Sequence, residues 1–268
     1  MRLAPPHPGL RACVVVPARD EQDLIASCLE ALAAQTGVEP HEYEVLLVPD
    51  NCTDATAERA QNVADAHPSL RLGVLDGPSL GSGHARRAGM DAACERLIGL
   101  DRREGLIVST DADTTVAQDW LSVQLDAAER GARAIGGRIE LGPGSLPQAV
   151  ARWHSERGRS RHQKLLDDPD RLGSAEHWQF SGESLALTAE TYARVGGLEP
   201  TAALEDEGLE QVLRKERIPI ERLLSVRATT SSRLAGRASQ GLAHDLAAAA
   251  ARIEAASKPD PSNASSQE

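Results

Sequence analysis

The chain has 268 residues, 41% of them hydrophobic and 26% charged, the make-up of an ordinary globular protein with room for one large α/β domain. Its 29 basic and 40 acidic side chains leave a net charge of −11, which argues against a nucleic-acid partner, because phosphates call for a basic face. Aromatic residues at 2% offer few stacking platforms for single-stranded nucleic acid or long glycans, which favours small ligands.

Met1 to Leu10 carries prolines where a secretion signal needs an apolar stretch, and is read as a flexible N-terminus. Ala12 to Val16 is a β-branched apolar run, the pattern of a buried parallel strand, and Leu24, Ile25, Cys28, Leu29 and Leu32 then recur at helical spacing. Tyr43 to Val48 predicts a second strand. A helix over Thr53 to Ala66 follows, its cap lying among Asn51, Thr53 and Asp54. Leu70 to Leu75 and Leu106 to Ser109 read as strands, each followed by a helix, over His84 to Ile98 and Ala117 to Arg130. Repeated β-α units imply a mostly parallel, Rossmann-like sheet flanked by helices, with ligands beyond the carboxyl ends of the strands.

The second half is less regular. Ala134 to Leu141 and a short run at Ser184 to Leu187 read as strands, Ile220 to Val226 as a return to the sheet. Helices are expected over Leu146 to Leu166, Ala189 to Val195, Leu204 to Arg217 and Leu242 to Ala256, with Asp167 to Gly173 as a polar loop. One domain then covers residues 11–256, divided near residue 141, and residues 257–268 form a disordered tail. No apolar run approaches the roughly 20 residues of a membrane helix. Cys13, Cys28, Cys52 and Cys94 show no zinc spacing and read as reduced thiols. The two Asn-x-Ser/Thr matches, at Asn51 and Asn263, lack a secretion signal, so the chain reads as cytoplasmic.

The chemistry concentrates at strand exits. Asp111-Ala112-Asp113 follows Leu106-Ile107-Val108, where two carboxylates offer hard oxygen ligands to a divalent ion beside a diphosphate. Asp168-Pro169-Asp170 has the same spacing in a polar loop and reads as solvated turn carboxylates; only position separates the two. The first strand exits into Pro17-Ala18-Arg19-Asp20-Glu21 and the second into Asp50-Asn51-Cys52-Thr53-Asp54, so a parallel sheet brings these groups to the edge of Asp111 and Asp113. Gly81 to Arg87 opens a helix with backbone N–H groups and two arginines, a combination suited to phosphate. Glu205-Asp206-Glu207 either complements a helix dipole or supplies a general base to a hydroxyl nucleophile.

Taken in order, these segments resemble family-two glycosyltransferases of the GT-A fold, over roughly Val14 to Val226. Val14 to Glu21 is similar to the family's opening strand and Pro-x-x-Asn-Glu turn, with Asp20 in place of Asn. Pro49 to Asp54 resembles its Asp-Asp-Gly-Ser-Thr-Asp segment, with Pro49 in place of the first Asp. Ala85-Arg86-Arg87-Ala88-Gly89 looks like the helix start that faces the diphosphate, and Thr110 to Thr114 matches the DxD motif. Ser181-Gly182-Glu183 and Val195 to Leu198 resemble the acceptor-side segments, and Glu205-Asp206 the Glu-Asp motif. The Gln-x-x-Arg-Trp motif of processive synthases is absent from the sequence.

The resemblance implies a metal-dependent enzyme that moves one sugar from a nucleoside diphosphate sugar to a small or anionic hydroxyl acceptor. Its first half would bind nucleotide and its second half acceptor. Asp113, helped by Asp111, would hold Mg or Mn; Pro17, Arg19, Glu21, Asp50, Arg86, Asp111 and Ala112 would contact the nucleotide sugar. Gly182, Glu183 and Glu205 would face the acceptor and Asp206 would be the catalytic base of an inverting transfer. Arg233, Arg237 and His244 are further candidates for a metal or phosphate contact. The arginines between Arg152 and Arg161, with His154, His162, His177 and Trp178, are candidates for an acceptor cleft. Alternatives stay open: a retaining enzyme resembling glucosyl-3-phosphoglycerate synthase, a sugar-1-phosphate nucleotidyltransferase, and a non-catalytic nucleotide-sugar binder. No motif specifies the nucleobase, the sugar or an oligomeric state.

Overall fold

A computed structural model describes residues 3–144, 146–199, 201, 205–236 and 240–257. Eight strands form one sheet: β1 (Ala12–Ala18), β2 (Tyr43–Pro49), β3 (Leu72–Val74), β4 (Leu106–Ser109), β5 (Thr114–Val116), β6 (Ala134–Leu141), β7 (Leu185–Thr188) and β8 (Ile220–Thr230). Their order is β3-β2-β1-β4-β7-β6-β8-β5. The first four are mutually parallel, and the order reverses between β1 and β4, the switch point where such sheets leave a crevice. Beyond β4 the sheet is mixed: β7 runs antiparallel to β4 and β6, β8 runs parallel to β6, and β5 antiparallel to β8. The parallel part of the sheet is thus confined largely to the first half of the chain.

Alternation along β1 sorts the helices onto two faces. Ala12, Val14 and Val16 pack against α1 (Ile25–Ala33), α2 (Thr56–Ala66) and α4 (Trp120–Glu129). Cys13 and Val15 face α3 (Ser82–Gly99), α6 (Ala189–Arg194) and α7 (Glu205–Lys215). Burial on both faces is why these strands read as unbroken apolar runs. On the second face α3 lies so close that a Cβ at Gly89 would sit 2.4 Å from Val15 Cγ1, and only glycine fits there. The remaining helices, α5 (Gln148–Leu166) and α8 (Leu242–Ser257), share a small separate cluster of Val150, Leu246 and Ala249.

Several expectations are corrected. Residues 3–10 are not a loose arm: Leu10 is fully buried and Leu3 packs on the second-face core. Helix α2 begins at Thr56, because Asn51 takes a left-handed φ of 56° and the segment ahead of Ala55 is a loop. Asp54, one of the three proposed cap residues, accepts the Thr56 N–H at 3.0 Å. The stretch expected as the start of a helix at Ala117 is preceded by β5, whose β-branched Thr114, Thr115 and Val116 pair with the end of β8. Strand β8 continues past Val226 to Thr230, after an irregularity opposite Gly137 and Arg138. The expected tail beyond Ser257, and Arg237, lie outside the described residues.

Candidate active site

The topology brings every relevant strand end to one edge. The parallel strands β1, β2 and β4 deliver Pro17 to Glu21, Asp50 and Asp111 there, and β6 and β8, pointing the same way, end nearby at Leu141 and Thr230. Antiparallel β7 begins at this edge, so Ser181 to Glu183 precede it there. Together with α5, α7 and α8 these ends enclose a cavity of about 960 Å3. Pro17, Arg19, Glu21, Asp50, Arg86, Asp111, Ala112, Asp113, Gly182, Glu183, Glu205 and Asp206 all line it.

The Asp111-Ala112-Asp113 segment is the tight connection between β4 and β5, closed by Thr114 N–H donating to Asp111 O at 3.0 Å. Asp113 is held by the segment after β8 as well, since Ser231 N–H donates to its carbonyl and Arg233 Nη2 lies 2.9 Å from Oδ2. The same guanidinium forks onto Glu21, with Nη1–Oε2 at 2.8 Å and Nη2–Oε1 at 2.6 Å. Burial first, then the neighbouring Asp111, raises the Asp113 carboxyl to about 6, with Arg233 pulling the other way. Glu21, Asp111 and Asp113 line one wall of the cavity, with Arg233 bridging Glu21 and Asp113 and Arg86 paired with Asp111. Asp111 and Asp113 carry hard oxygens of the kind that Mg or Mn takes.

Arg86, expected to face a diphosphate, instead spends its guanidinium on protein acceptors. Nε donates to Glu205 Oε1 at 2.8 Å, Nη2 to Asp111 Oδ1 at 2.7 Å, and Nη1 to Gly182 O at 3.0 Å and to Ser109 Oγ. A Cβ on Gly182 would approach Arg86 Nη2 to 2.4 Å, so a side chain there would displace the guanidinium. Arg86 therefore ties α3, β4, the segment before β7 and the start of α7 into one unit. Asp206, next to Glu205, accepts the Gly182 N–H at 3.2 Å and the Glu207 N–H at 2.9 Å. Burial and the Glu205 charge raise its carboxyl above the usual range, against the lowering effect of Arg86. Glu183 is raised to about 7, mainly by burial and then by Asp111, while Ser181 Oγ donates to it.

Asp50 is buried at the end of β2 and accepts N–H groups of Ser79 and Gly81, the latter at 2.9 Å, fixing the loop that starts α3. Arg19 is exposed at the rim, with no ion pair among the described residues. Asp20, Cys52 and Asp54 bring three potential ligand atoms within 4.8 Å of one another. They lie outside the cavity, and both carboxylates already accept backbone N–H groups. Asp168 pairs with Arg214 at 2.8 Å.

Of the second-half candidates, His154, Arg157, Arg161 and Trp178 line the cavity, as does His244, while Arg152 and Arg159 do not. His162 is turned to Ala175 O at 2.8 Å. His177 is buried away from the cavity, where its Nδ1 accepts the Gln179 N–H at 3.1 Å. Burial, aided by Arg222, lowers the His177 imidazole from 6.5 to about 4. The unfolded chain then takes up this proton near 6.5 and the folded chain only near 4, so acidification through that window favours unfolding. We expect urea unfolding to report a loss of about 2 kcal/mol from this group between pH 7 and pH 5, absent in His177→Gln. Sequence reasoning missed Arg214 and Gln211, which α7 presents to the cavity opposite its buried Leu209 and Leu213. The signal was available in their helical spacing.

A family model described as Glycosyl transferase family 2 matches residues 13–183. The chain belongs to that family. The match includes Asp50, Arg86, Asp111 and Asp113 and ends before Asp206. Among curated proteins, glycosyltransferase AglE of Haloferax volcanii is 27% identical over 129 residues, 48% of this chain and 39% of AglE. The dodecaprenyl-phosphate galacturonate synthase of Rhizobium johnstonii is 35% identical over 94 residues, 35% of this chain and 28% of that protein. The matches thus span well under half the length of these relatives. Among solved structures, the mannosyltransferase PcManGT of Pyrobaculum calidifontis, in complex with GDP-Man and Mn2+, has a TM-score of 0.60 at 20% identity, covering 98% of this chain and 80% of its own. S. aureus TarS 1-349 with UDP-GlcNAc has a TM-score of 0.58 at 18% identity, covering 87% and 62%. Among the described residues of the family-two chain, no helix is long and apolar enough to cross a membrane.

Proposed function

We propose that this chain transfers one sugar from a nucleoside diphosphate sugar to the hydroxyl of a small or anionic acceptor, with inversion at the anomeric carbon. The observation that carries the reading is the junction of two chemistries in one cavity: the carboxylates Glu21, Asp111 and Asp113 on one side, and Asp206 on the other, joined through Arg86. Relatives and structural neighbours named for glycosyl transfer, one with GDP-Man and Mn2+ and another with UDP-GlcNAc, support it.

Asp206 accepts the acceptor hydroxyl's proton as its oxygen bonds to the anomeric carbon, and the bond from that carbon to the diphosphate breaks with the electron pair leaving on phosphate. A raised carboxyl suits a base that must hold this proton near neutrality. Mg or Mn, held by Asp113 and Asp111, would neutralise charge on the departing diphosphate. Arg233, just beyond β8 and itself held by Glu21, orients Asp113. Asp50 fixes the loop ahead of α3, against which the nucleoside end of the donor lies, with Pro17, Arg19 and Ala112 at its edge. Gly182 leaves room for Arg86, and Glu183 and Glu205 border the acceptor side. A cytoplasmic setting suits the four free thiols.

Thermal unfolding against a panel of nucleoside diphosphates, with and without Mn, tests the donor assignment. One nucleotide with Mn, at about 100 times its Kd, should stabilise the protein by about 2.7 kcal/mol and raise Tm by about 5 °C or more. Asp113→Ala should remove the Mn-dependent part. No shift with any nucleotide overturns the reading, and a product of retained anomeric configuration overturns Asp206 as the base.

A further inference from the structure

Helix α5 is unusual in what it turns inward. It buries only Val150, while the stripe His154, Arg157, Gly158, Arg161 and Lys164, at helical spacing, faces the cavity. An ordinary packed helix would place apolar side chains there. The stripe is also built against a partner: the Arg161 guanidinium carbon lies 4.6 Å from the centre of the Trp178 ring. A Cβ at Gly158 would meet Trp178 Nε1 at 3.2 Å, so the glycine lets the indole close onto the helix.

The charges of the cavity wall do not cancel along this stripe. Arg157 is paired with Asp245, Arg214 with Asp168, Arg233 with Glu21 and Asp113, and Arg86 with Asp111 and Glu205. Arg161 and Lys164 have no ion pair among the described residues. Burial and the Arg157 charge lower the Arg161 guanidinium from its ordinary value, and the nearby Glu207, Asp245 and Asp206 compensate only partly. His154 is lowered too, by burial and then by Arg157 and Arg161, as expected beside uncompensated positive charge. A guanidinium whose carbon sits over an indole face still has N–H donors to offer an oxyanion.

We infer that Arg161, stacked on Trp178, and Lys164 form a phosphate site in the acceptor half of the cavity, so that the acceptor is a hydroxyl compound carrying a phosphate group. Two unpaired cations match the charge of a phosphate monoester, and Asp206, the proposed base, lies close enough to Arg161 to raise its proton affinity. The inference rests on the proposed transfer reaction for the word acceptor, while the anion site stands on the stripe itself. The phosphate is borne either by a small soluble molecule or by a lipid.

Inorganic phosphate is the probe, titrated into the full chain with acetate at equal ionic strength as control, with Mg and the nucleotide that binds best already present. Phosphate should raise Tm in the wild type, acetate should not, and Arg161→Gln should weaken apparent phosphate affinity about tenfold or more. Lys164→Gln should weaken it less, and Arg161→Lys, which keeps the charge and loses the planar fork, should fall between. The nucleotide shift should survive in all three variants, which shows that they fold. Equal phosphate responses in wild type and Arg161→Gln, or a response to acetate as large as to phosphate, overturn the inference even if nucleotide binds. A missing nucleotide shift beside an Arg161-dependent phosphate response instead overturns the donor assignment alone. Co-sedimentation with phosphatidic acid vesicles, lost in Arg161→Gln, assigns the phosphate to a lipid; a phosphate response without co-sedimentation assigns it to a soluble molecule.

Discussion

Asp206→Asn should lower the transfer rate about a thousandfold while leaving the nucleotide- and Mn-dependent Tm shift intact. The substitution is nearly isosteric, and the amide oxygen still accepts the Gly182 N–H, so the start of α7 keeps its tether to the segment before β7. What disappears is the group that takes the acceptor's proton. The pH dependence separates this from a positional effect. Burial and the adjacent Glu205 raise the Asp206 carboxyl, so the acid limb of the wild-type rate profile should lie above the ordinary carboxylate range. In Asp206→Asn that limb should vanish. A variant that lost rate but kept the limb would show that another group is the base; Glu183, raised to about 7 on the same wall, would be the one to test.

The residues that were legible in the sequence are those whose environment is set locally. Strands β1, β2 and β4 are buried on both faces, so apolar runs announce them, and once they are parallel the strand-exit residues must share an edge. Glu21, Asp50, Asp111 and Asp113 converge for that reason. Arg233 was far less legible: its partner Glu21 lies 212 residues away, and β8 has to run past Val226 to Thr230 before the pairing is possible. The three residues of β5 were hidden because their pairing with β8 is their only support as a strand. Helix α5 was legible only in part, for a different reason. A helix face that lines a polar cavity has the same residue types at the same spacing as one facing bulk water, and only the surroundings of Arg161 distinguish them. Arg86 lines the cavity, but its protein partners were not legible, since two arginines at a helix start do not say that a buried carboxylate such as Glu205 will take the fork.

That fork underlies the largest expected stability effect. Arg86→Met should destabilise the fold by about 3–5 kcal/mol and lower Tm by about 10 °C, because it strips the counter-charge from carboxylates held in place by the rest of the structure. Most of the penalty belongs to Glu205, whose side chain is 6% exposed, whereas Asp111 at 30% is partly screened by water. Ser109 Oγ and Gly182 O lose their donor as well. Arg86→Lys keeps the charge but cannot reach Glu205, Gly182 and Asp111 at once, and should lose less stability. The double variant Arg86→Met with Glu205→Leu removes both buried partners together and should recover much of the Tm, since an apolar pair replaces an orphaned carboxylate. Transfer should not recover with it. Asp206 would no longer have the charged neighbours that set its proton affinity, and the start of α7 would no longer be tied through Glu205 to β4. Tm restored without activity would mark Arg86 as the residue that positions Asp206 and Asp111 relative to each other; activity returning with Tm would reduce it to a stabilising ion pair.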